Sequence, residues 1–415
     1  MEITIHRGTQ EIGGSCVQLT SEGCSLLLDA GLPLGETQSQ INLSEIDFDA
    51  VLVSHPHQDH YGLIDKLDPS VPLYIGQIAS QVIAAARIFT GKEPLKNNFQ
   101  HFKAWVPFKI GPFRITPYLM DHSSIDSFGF LIEAEGKRVF YSGDFRAHGS
   151  KEEAFERFLN RPPKNVDLLL MEGTMMGRGT EAYKKETNVE EEMLEVLRKE
   201  TGPAFLICSG QHVDRLCAAF RASKKAGRIF VVDIYTAWIL QILSGHFNST
   251  PHFRWDEIRV LAHGKTAQNH YLKIKGSSTF ASFLRDIYKS NNVITEAQIA
   301  GDPGRYFIKN NRIDILLKNL NSPQCSIIYS QWSGYLEEKY NPASWRLTSL
   351  RDDPRVSFCQ IHTSGHGFLR DLKRYVDAIV PRTLVPIHTE RGTAYAENFQ
   401  PHKVQVVADD EIFRV

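Results

Sequence analysis

The chain has 415 residues, 42% of them hydrophobic and 23% charged, a balance that excludes intrinsic disorder and fibrous repeats and allows two ordinary domains or one large domain with a folded insertion. Its formal net charge is -1, so no overall field steers it toward nucleic acid or an anionic membrane. The six cysteines, Cys16, Cys24, Cys208, Cys217, Cys325 and Cys359, form no CxxC pair, and no apolar run approaches the roughly 18 residues of a membrane span; a cytoplasmic protein without export signal or membrane anchor is expected.

In chain order, the first elements are short strands separated by turns: Glu2 to His6, Cys16 to Leu19, and Cys24 to Asp29 followed by Ala30-Gly31. Asp29 thus closes an apolar strand, which suits a turn cap or something more. Phe48 to Val53 reads as a buried strand and runs into Ser54-His55-Pro56-His57-Gln58-Asp59-His60. A short helix over Tyr61 to Leu67, a strand over Val71 to Ile75 and a longer helix over Gln77 to Phe89 follow, the last on the spacing of Ile78, Val82, Ile83, Ala86 and Phe89. Strands then resume at Trp105 to Ile110, Phe113 to Leu119, Gly129 to Ala134 and Arg138 to Tyr141. Asp121-His122-Ser123 follows one of these, and Ser142-Gly143-Asp144-Phe145-Arg146 follows another.

Val166 to Met171 is an apolar strand ending in Glu172-Gly173-Thr174, and Val189 to Glu200 reads as an amphipathic helix. Ala204 to Cys208 and Arg228 to Asp233 are strands flanking a helix over Val213 to Ala226, a βαβ unit that opens a second domain. This region is basic: between Gly202 and Tyr340 stand 17 Lys and Arg against 10 Asp and Glu. Lys265 to Ser278 is polar and shows no firm periodicity, Thr279 to Lys289 reads as a helix, and Cys325 to Tyr329 as a strand. Val356 to Ile361 precedes His362-Thr363-Ser364-Gly365-His366-Gly367, after which come a helix over Phe368 to Ile379, a strand over Thr383 to Ile387 ending at His388, and terminal strands within Lys403 to Val415.

Three imidazoles and a carboxylate within six residues, His55, His57, Asp59 and His60, are the groups that bind a divalent metal such as zinc, and catalytic sites keep room beside them for water. His55 and His57 share a side of an extended segment, while the residues past the turn can reach a second position, so one loop can serve two metals. A lone His122 or His388 is more often structural, and Asp144 alone could cap a turn. Each, however, follows a predicted strand, and together they complete the ligands of two ions.

On these residues the chain resembles metallo-β-lactamase-fold hydrolases, through His55-x-His57-x-Asp59-His60, His122, the segment around Asp144, and Asp29. More narrowly it resembles the β-CASP nucleases, the group of ribonuclease J and the cleavage-factor endonuclease. That narrower likeness rests on an acidic residue closing a strand, Glu172, on the histidine of a Ser-Gly-His turn, His366, and on the strand-end His388. The resemblance implies an α/β protein: an αββα metallo-β-lactamase sandwich over residues 1–185 and 345–415, interrupted by an inserted α/β β-CASP domain over 186–344. It implies His55, His57 and His122 on one metal, Asp59, His60 and His388 on the other, and Asp144 between them, with Asp29 and Glu172 orienting the ligands. The ions would be zinc or manganese.

The activity so implied is a metal-dependent ribonuclease that hydrolyses phosphodiester bonds of single-stranded RNA in a cleft between the domains, through a water activated by two metals. His366 would contact the phosphate and stabilise or protonate the leaving group. Ser364 and Gly365 could offer a hydroxyl and an N–H to phosphate, and Ser209, His212 and Arg215 could do so from the inserted domain, although Ser209 and His212 equally suit an ordinary helix cap. Arg215, Arg221, Lys224, Lys225 and Arg228 could form a phosphate-tracking face or a solvated one. Alternatives are a DNA-directed nuclease, a hydrolase of a small ester, thioester or lactone, which would need neither Glu172 nor His366, and a non-enzymatic RNA-binding relative. A homodimer is the default expectation for a soluble oligomer, and no membrane partner is expected.

Overall fold

Strand Leu168–Glu172 is buried along its whole length because it has a packed layer on each face: Leu168 and Leu170 point into one core, Leu169 and Met171 into another. In the computed structural model, which describes residues 1–35, 41–178, 183–262, 265–320, 322 and 324–415, this strand belongs to the first of two units. That unit comprises Met1–Ser80, Leu95–Tyr183 and Ser364–Val415; the second comprises Gln81–Pro94 and Lys184–Thr363.

The first unit contains two sheets. One runs in the order Ile412–Arg414, Glu2–Arg7, Cys16–Ser21, Cys24–Leu28, Ala50–Leu52, Leu73–Gly76, Phe99–Phe102. The other runs Thr383–Ile387, Leu168–Glu172, Lys137–Tyr141, Phe128–Ala134, Phe113–Leu119, Phe108–Ile110. Alternate residues of both sheets, among them Ile3, Ile5, Val17 and Leu26 from the first and Ile115, Phe130, Val139 and Leu170 from the second, form a shared core. Helices Glu152–Asn160 and Leu369–Ile379 cover the outer face of the second sheet, where Phe158 stacks on Tyr375 with ring centroids 4.5 Å apart.

Strand direction gathers the polar segments. Cys24–Leu28 is parallel to Ala50–Leu52, while Lys137–Tyr141, Leu168–Glu172 and Thr383–Ile387 are parallel to one another, with Glu172 opposite Ile387. The residues that follow them, Asp29, Ser54, Asp144 and His388, therefore leave their sheets at matching ends, and Phe113–Leu119, antiparallel to Phe128–Ala134, delivers His122 to the same edge. The two-layer sandwich expected from the sequence thus forms with its polar segments at one sheet edge.

The second unit is a seven-stranded, all-parallel sheet in the order Val293–Ile294, Ile258–Leu261, Ile229–Asp233, Tyr306–Lys309, Ala204–Ile207, Cys325–Tyr329, Val356–Gln360. The expected βαβ unit is present as Ala204–Ile207, Val213–Lys225 and Ile229–Asp233, with Tyr306–Lys309 lying between its two strands. Residues 345–363, placed in the first domain by the sequence reading, pack here with the second unit, because Val356–Gln360 pairs in parallel with Cys325–Tyr329 along five residues. The stretch without firm periodicity contains helix Lys265–Ile274, followed by helix Ser278–Lys289. None of the described helices is long and apolar enough to cross a membrane.

Arg215 is not available to substrate, which corrects the role expected for it. Its side chain is 0% exposed, with Nη2 3.1 Å from Glu186 Oε1 and Nη1 donating to Ser330 O at 3.0 Å. The neighbouring cations are also engaged: Arg221 and Lys225 share Glu190, Lys224 pairs with Glu257, and Arg228 donates to the carbonyls of Gly202 and Tyr306. Every cation of the run thus has a partner, while Arg221, Lys224 and Lys225 keep about half of their side chains exposed. Arg215→Ala would strand the buried Glu186 carboxylate and should cost about 3–5 kcal/mol in urea unfolding, whereas a residue serving only to bind RNA would leave the unfolding midpoint in place.

Candidate metal centre

Seven side chains from four chain segments meet at the strand edge in two adjoining groups, His55, His57 and His122, and Asp59, His60, Asp144 and His388, each with its ligand atoms within 4.8 Å of one another. Asp144 lies between them: its Oδ2 is 3.1 Å from His60 Nε2, 3.7 Å from His55 Nε2 and 4.0 Å from His122 Nε2. A third set, Asp144, Glu172, His366 and His388, overlaps the second.

A single carboxylate orients much of this. Fully buried Asp29 accepts from Ser54 N and Ser54 Oγ, from Tyr141 Oη and from His60 Nδ1, each at 2.7 Å. His60 therefore carries its hydrogen on Nδ1 and turns Nε2 toward Asp144. Since Ser54 Oγ donates to Asp29, its lone pair takes the hydrogen of His55 Nδ1 at 3.0 Å, leaving His55 Nε2 bare. The carbonyl of Gly365 does the same for His122, accepting from Nδ1 at 2.6 Å. Both bare Nε2 atoms then face His57 Nδ1 at 3.1 Å. Even if that atom donates to one of them, the other lone pair is left facing it, an arrangement that a cation among the three nitrogens would satisfy.

The backbone permits this only at special positions. Asp29 and His388 take left-handed conformations, with φ of 59° and 50°. Gly31 passes against the helix that carries Asp59 and His60, and a Cβ there would sit 1.8 Å from the Asp59 carbonyl oxygen.

Residues 25–207 match the beta-lactamase superfamily domain, and residues 357–408 match the Zn-dependent metallo-hydrolase RNA specificity domain. The chain belongs to the metallo-β-lactamase-fold β-CASP family. It is 22% identical to an RNase J-like protein of Methanocaldococcus jannaschii, over 94% of this chain and 92% of that one. To ribonuclease J of Mycoplasma genitalium it is 23% identical over 40% of this chain, and the match spans only 32% of that relative's length. A crystal structure of a protein of unknown function from Enterococcus faecalis shares the fold, with a TM-score of 0.76, 19% identity and 99% of both chains covered.

The electrostatics of the β-CASP chain's site suit a metal. Burial, reinforced by neighbouring imidazoles, holds His55 and His122 well below the usual histidine range, and burial brings His57 down to about 4, so all three present neutral nitrogens. Burial opposes charge on Asp59 and Asp144 too, but the surrounding imidazoles outweigh it and keep both carboxyls below their ordinary range. Burial likewise works against a charged His60, yet Asp144, Asp29 and Asp59 raise it well above. Asp144 Oδ1 is buried without a hydrogen-bond partner among the described residues, a costly state that a bound cation would relieve. The donor set therefore fits divalent metal.

His366 stands beside this set with Nδ1 3.2 Å from Glu172 Oε1 and 3.7 Å from Asp144 Oδ2. Burial lowers its pKa, but Glu172 and Asp144 prevail and raise it to about 9. Glu172 also accepts from the backbone of Phe145 and Thr174, tying His366 to the Asp144 loop. Gly365 and Ser364 lie here, but their carbonyls are already engaged, by His122 and by Arg146 and His148. Ser209 and His212 belong to the second unit and serve a helix start: Ser209 Oγ accepts from Gln211 N, and His212 Nδ1 accepts from Arg215 N.

Sequence reasoning missed Ser54, Tyr141 and Thr174. The hydroxyl of Thr174 lies 2.9 Å from His388 Nδ1, while Gly13 N donates to His388 Nε2 at 3.1 Å. Ser54 and Tyr141 directly precede the His55 and Ser142-Gly143-Asp144 segments, and Thr174 follows Glu172 by two; adjacency to a strand-end motif was the available signal. Asp29→Asn would remove the charge on which Ser54, His60 and Tyr141 converge. Zinc affinity, measured by competition with a chromogenic chelator, should fall about 10- to 100-fold while the far-ultraviolet circular dichroism stays native.

Proposed function

We propose that this β-CASP protein is a metal-dependent ribonuclease that hydrolyses phosphodiester bonds of single-stranded RNA at two divalent ions, zinc or manganese. The observation that carries this reading is a protonatable imidazole, His366, braced by Glu172 at 3.2 Å beside two adjoining groups of metal-ligand side chains. An ester or lactone hydrolase needs the metal ligands but not that pair. The match to an RNA specificity domain over residues 357–408, which include His366, and the similarity to proteins named ribonuclease J support the same reading.

In this proposal His55, His57 and His122 would hold one ion and Asp59, His60 and His388 the other, with Asp144 between the two groups. When bound, such a pair of ions supplies an activated water and offsets charge on the scissile phosphate. The protein does the rest through placement. Asp29 and the Gly365 carbonyl fix which imidazole nitrogens face inward. His366, hydrogen-bonded to Glu172 through Nδ1, keeps Nε2 for the departing oxygen, and the Glu172 carboxylate supports the proton it would give. Ser364 and Gly365 border this position and would contact the phosphate through the Ser364 hydroxyl and the Gly365 N–H.

With a labelled single-stranded RNA, His57→Ala and treatment with chelator should each abolish cleavage, and added zinc or manganese should restore the wild type alone. His366→Ala should retain bound metal and lose about 10²- to 10⁴-fold in kcat. The same samples, offered single-stranded DNA and a panel of small esters, separate the alternatives: turnover of esters with intact RNA, or RNA cleavage that survives both chelator and His57→Ala, would reject the proposal.

A further inference from the structure

The turn Ser364-Gly365-His366-Gly367 lies between strand Val356–Gln360 and helix Leu369–Ile379 and is part of neither. Its geometry depends on side chains that reach it from the loop after Asp144. The carbonyl of Ser364 accepts from Arg146 Nη1 at 3.0 Å and from His148 Nε2 at 2.9 Å. A carbonyl only accepts, so His148 carries its hydrogen on Nε2. Both side chains are 0% exposed.

Each is itself braced. Arg146 N donates to Asp121 O at 2.7 Å, its Nε lies 3.6 Å from Asp121 Oδ1, and Gly149 N donates to Asp121 Oδ2 at 2.7 Å. The His148 ring packs against Tyr183 and Phe368, with centroids 5.4 and 5.0 Å away. On the turn, His366 N donates to Ser364 Oγ at 3.0 Å, and the next carbonyl, that of Gly365, receives His122 Nδ1. Two successive peptides thus connect a buried cation and a buried imidazole to His122 and His366.

We propose that Arg146 and His148 are positioning residues, which fix the Ser364 carbonyl and through it the His366 ring. The inference rests on the ribonuclease reading for its kinetic consequence, and on the hydrogen bonds alone for its structural one. A reacting group displaced by about 1 Å can lose about 10²-fold in rate, so a clamp on a turn with no ladder to hold it sets kcat rather than substrate affinity.

The test replaces His148 in two ways in the full chain. His148→Phe keeps a ring between Tyr183 and Phe368 and removes the donor; His148→Gln keeps an N–H. On single-stranded RNA, His148→Phe should lower kcat about 10- to 100-fold with KM within about twofold and zinc content unchanged, and His148→Gln should recover most of the loss. Added to His366→Ala, His148→Phe should cause no further loss, because both act through one ring. Undiminished kcat, equal losses in Phe and Gln variants, or multiplicative losses in the double variant would each overturn the proposal. Hydrogen exchange by mass spectrometry gives a readout that needs no turnover: the peptide spanning residues 364–367 should exchange faster in His148→Phe and as wild type in His148→Gln. If the wild type cleaves no RNA, the ribonuclease reading fails by itself, and unchanged exchange in His148→Phe still overturns the clamp. Should His148→Phe not fold, Arg146→Lys, which keeps the charge beside Asp121 but shortens the reach to Ser364, takes its place in every comparison.

Discussion

The site depends on one buried carboxylate having all its obligations met. Asp29 is removed from water, a state that costs several kcal/mol unless hydrogen bonds compensate, and four donors converge on it. They come from both layers of the sandwich: Ser54 and His60 follow strand Ala50–Leu52 of one sheet, and Tyr141 ends strand Lys137–Tyr141 of the other. The carboxylate therefore does two jobs. It joins the sheets at their functional edge, and it decides the tautomers of His60 directly and of His55 through Ser54.

From that hub outward, the same device recurs. Imidazole nitrogens are assigned by an acceptor that cannot donate: Asp29 for His60, the Gly365 carbonyl for His122, Glu172 for a protonated His366, the Ser364 carbonyl for His148. For His60, His122 and His366 the assignment leaves the other nitrogen toward the shared cluster, as the proposed metal and substrate contacts require, whereas for His148 it only anchors the turn. Such preorganisation spares the reorganisation that would otherwise accompany binding or reaction. It is also why the surrounding turns carry left-handed Asp29 and His388 and the close approach at Gly31.

The second unit follows a different logic. The inner strands of its parallel sheet are buried, and several cations of that stretch are paired, Arg215 and Glu186 being enclosed together and Glu190 shared by Arg221 and Lys225. A run of cations in the sequence is thus divided between an enclosed ion pair at Arg215 and lateral pairs at Arg221 and Lys225. Sequence position within the helix could not reveal this, because the compensating carboxylates come from a neighbouring helix some 30 residues away.

What the sequence by itself determined about this protein was the chemistry at the strand ends. His55, His57, Asp59, His60, His122, Asp144 and His388 were legible because ligand-type residues after apolar strands are a local pattern, and the strands themselves announce their period; Glu172 and His366 were added by the family resemblance. The βαβ unit of the second domain was legible for the same reason, whereas the two-layer sandwich was expected from the family resemblance that those residues carry. Only the tertiary structure decided that Ser54 bonds to His55, Thr174 to His388 and Tyr141 to Asp29, that Arg215 is sealed from solvent, that Val356–Gln360 pairs within the second unit, and that Arg146 and His148 bond to the turn that carries His366. Those outcomes depend on partners distant in sequence, Arg146 and Ser364 being 218 residues apart. Hydrogen-bond satisfaction and burial are properties of the folded neighbourhood, so no local pattern encodes them.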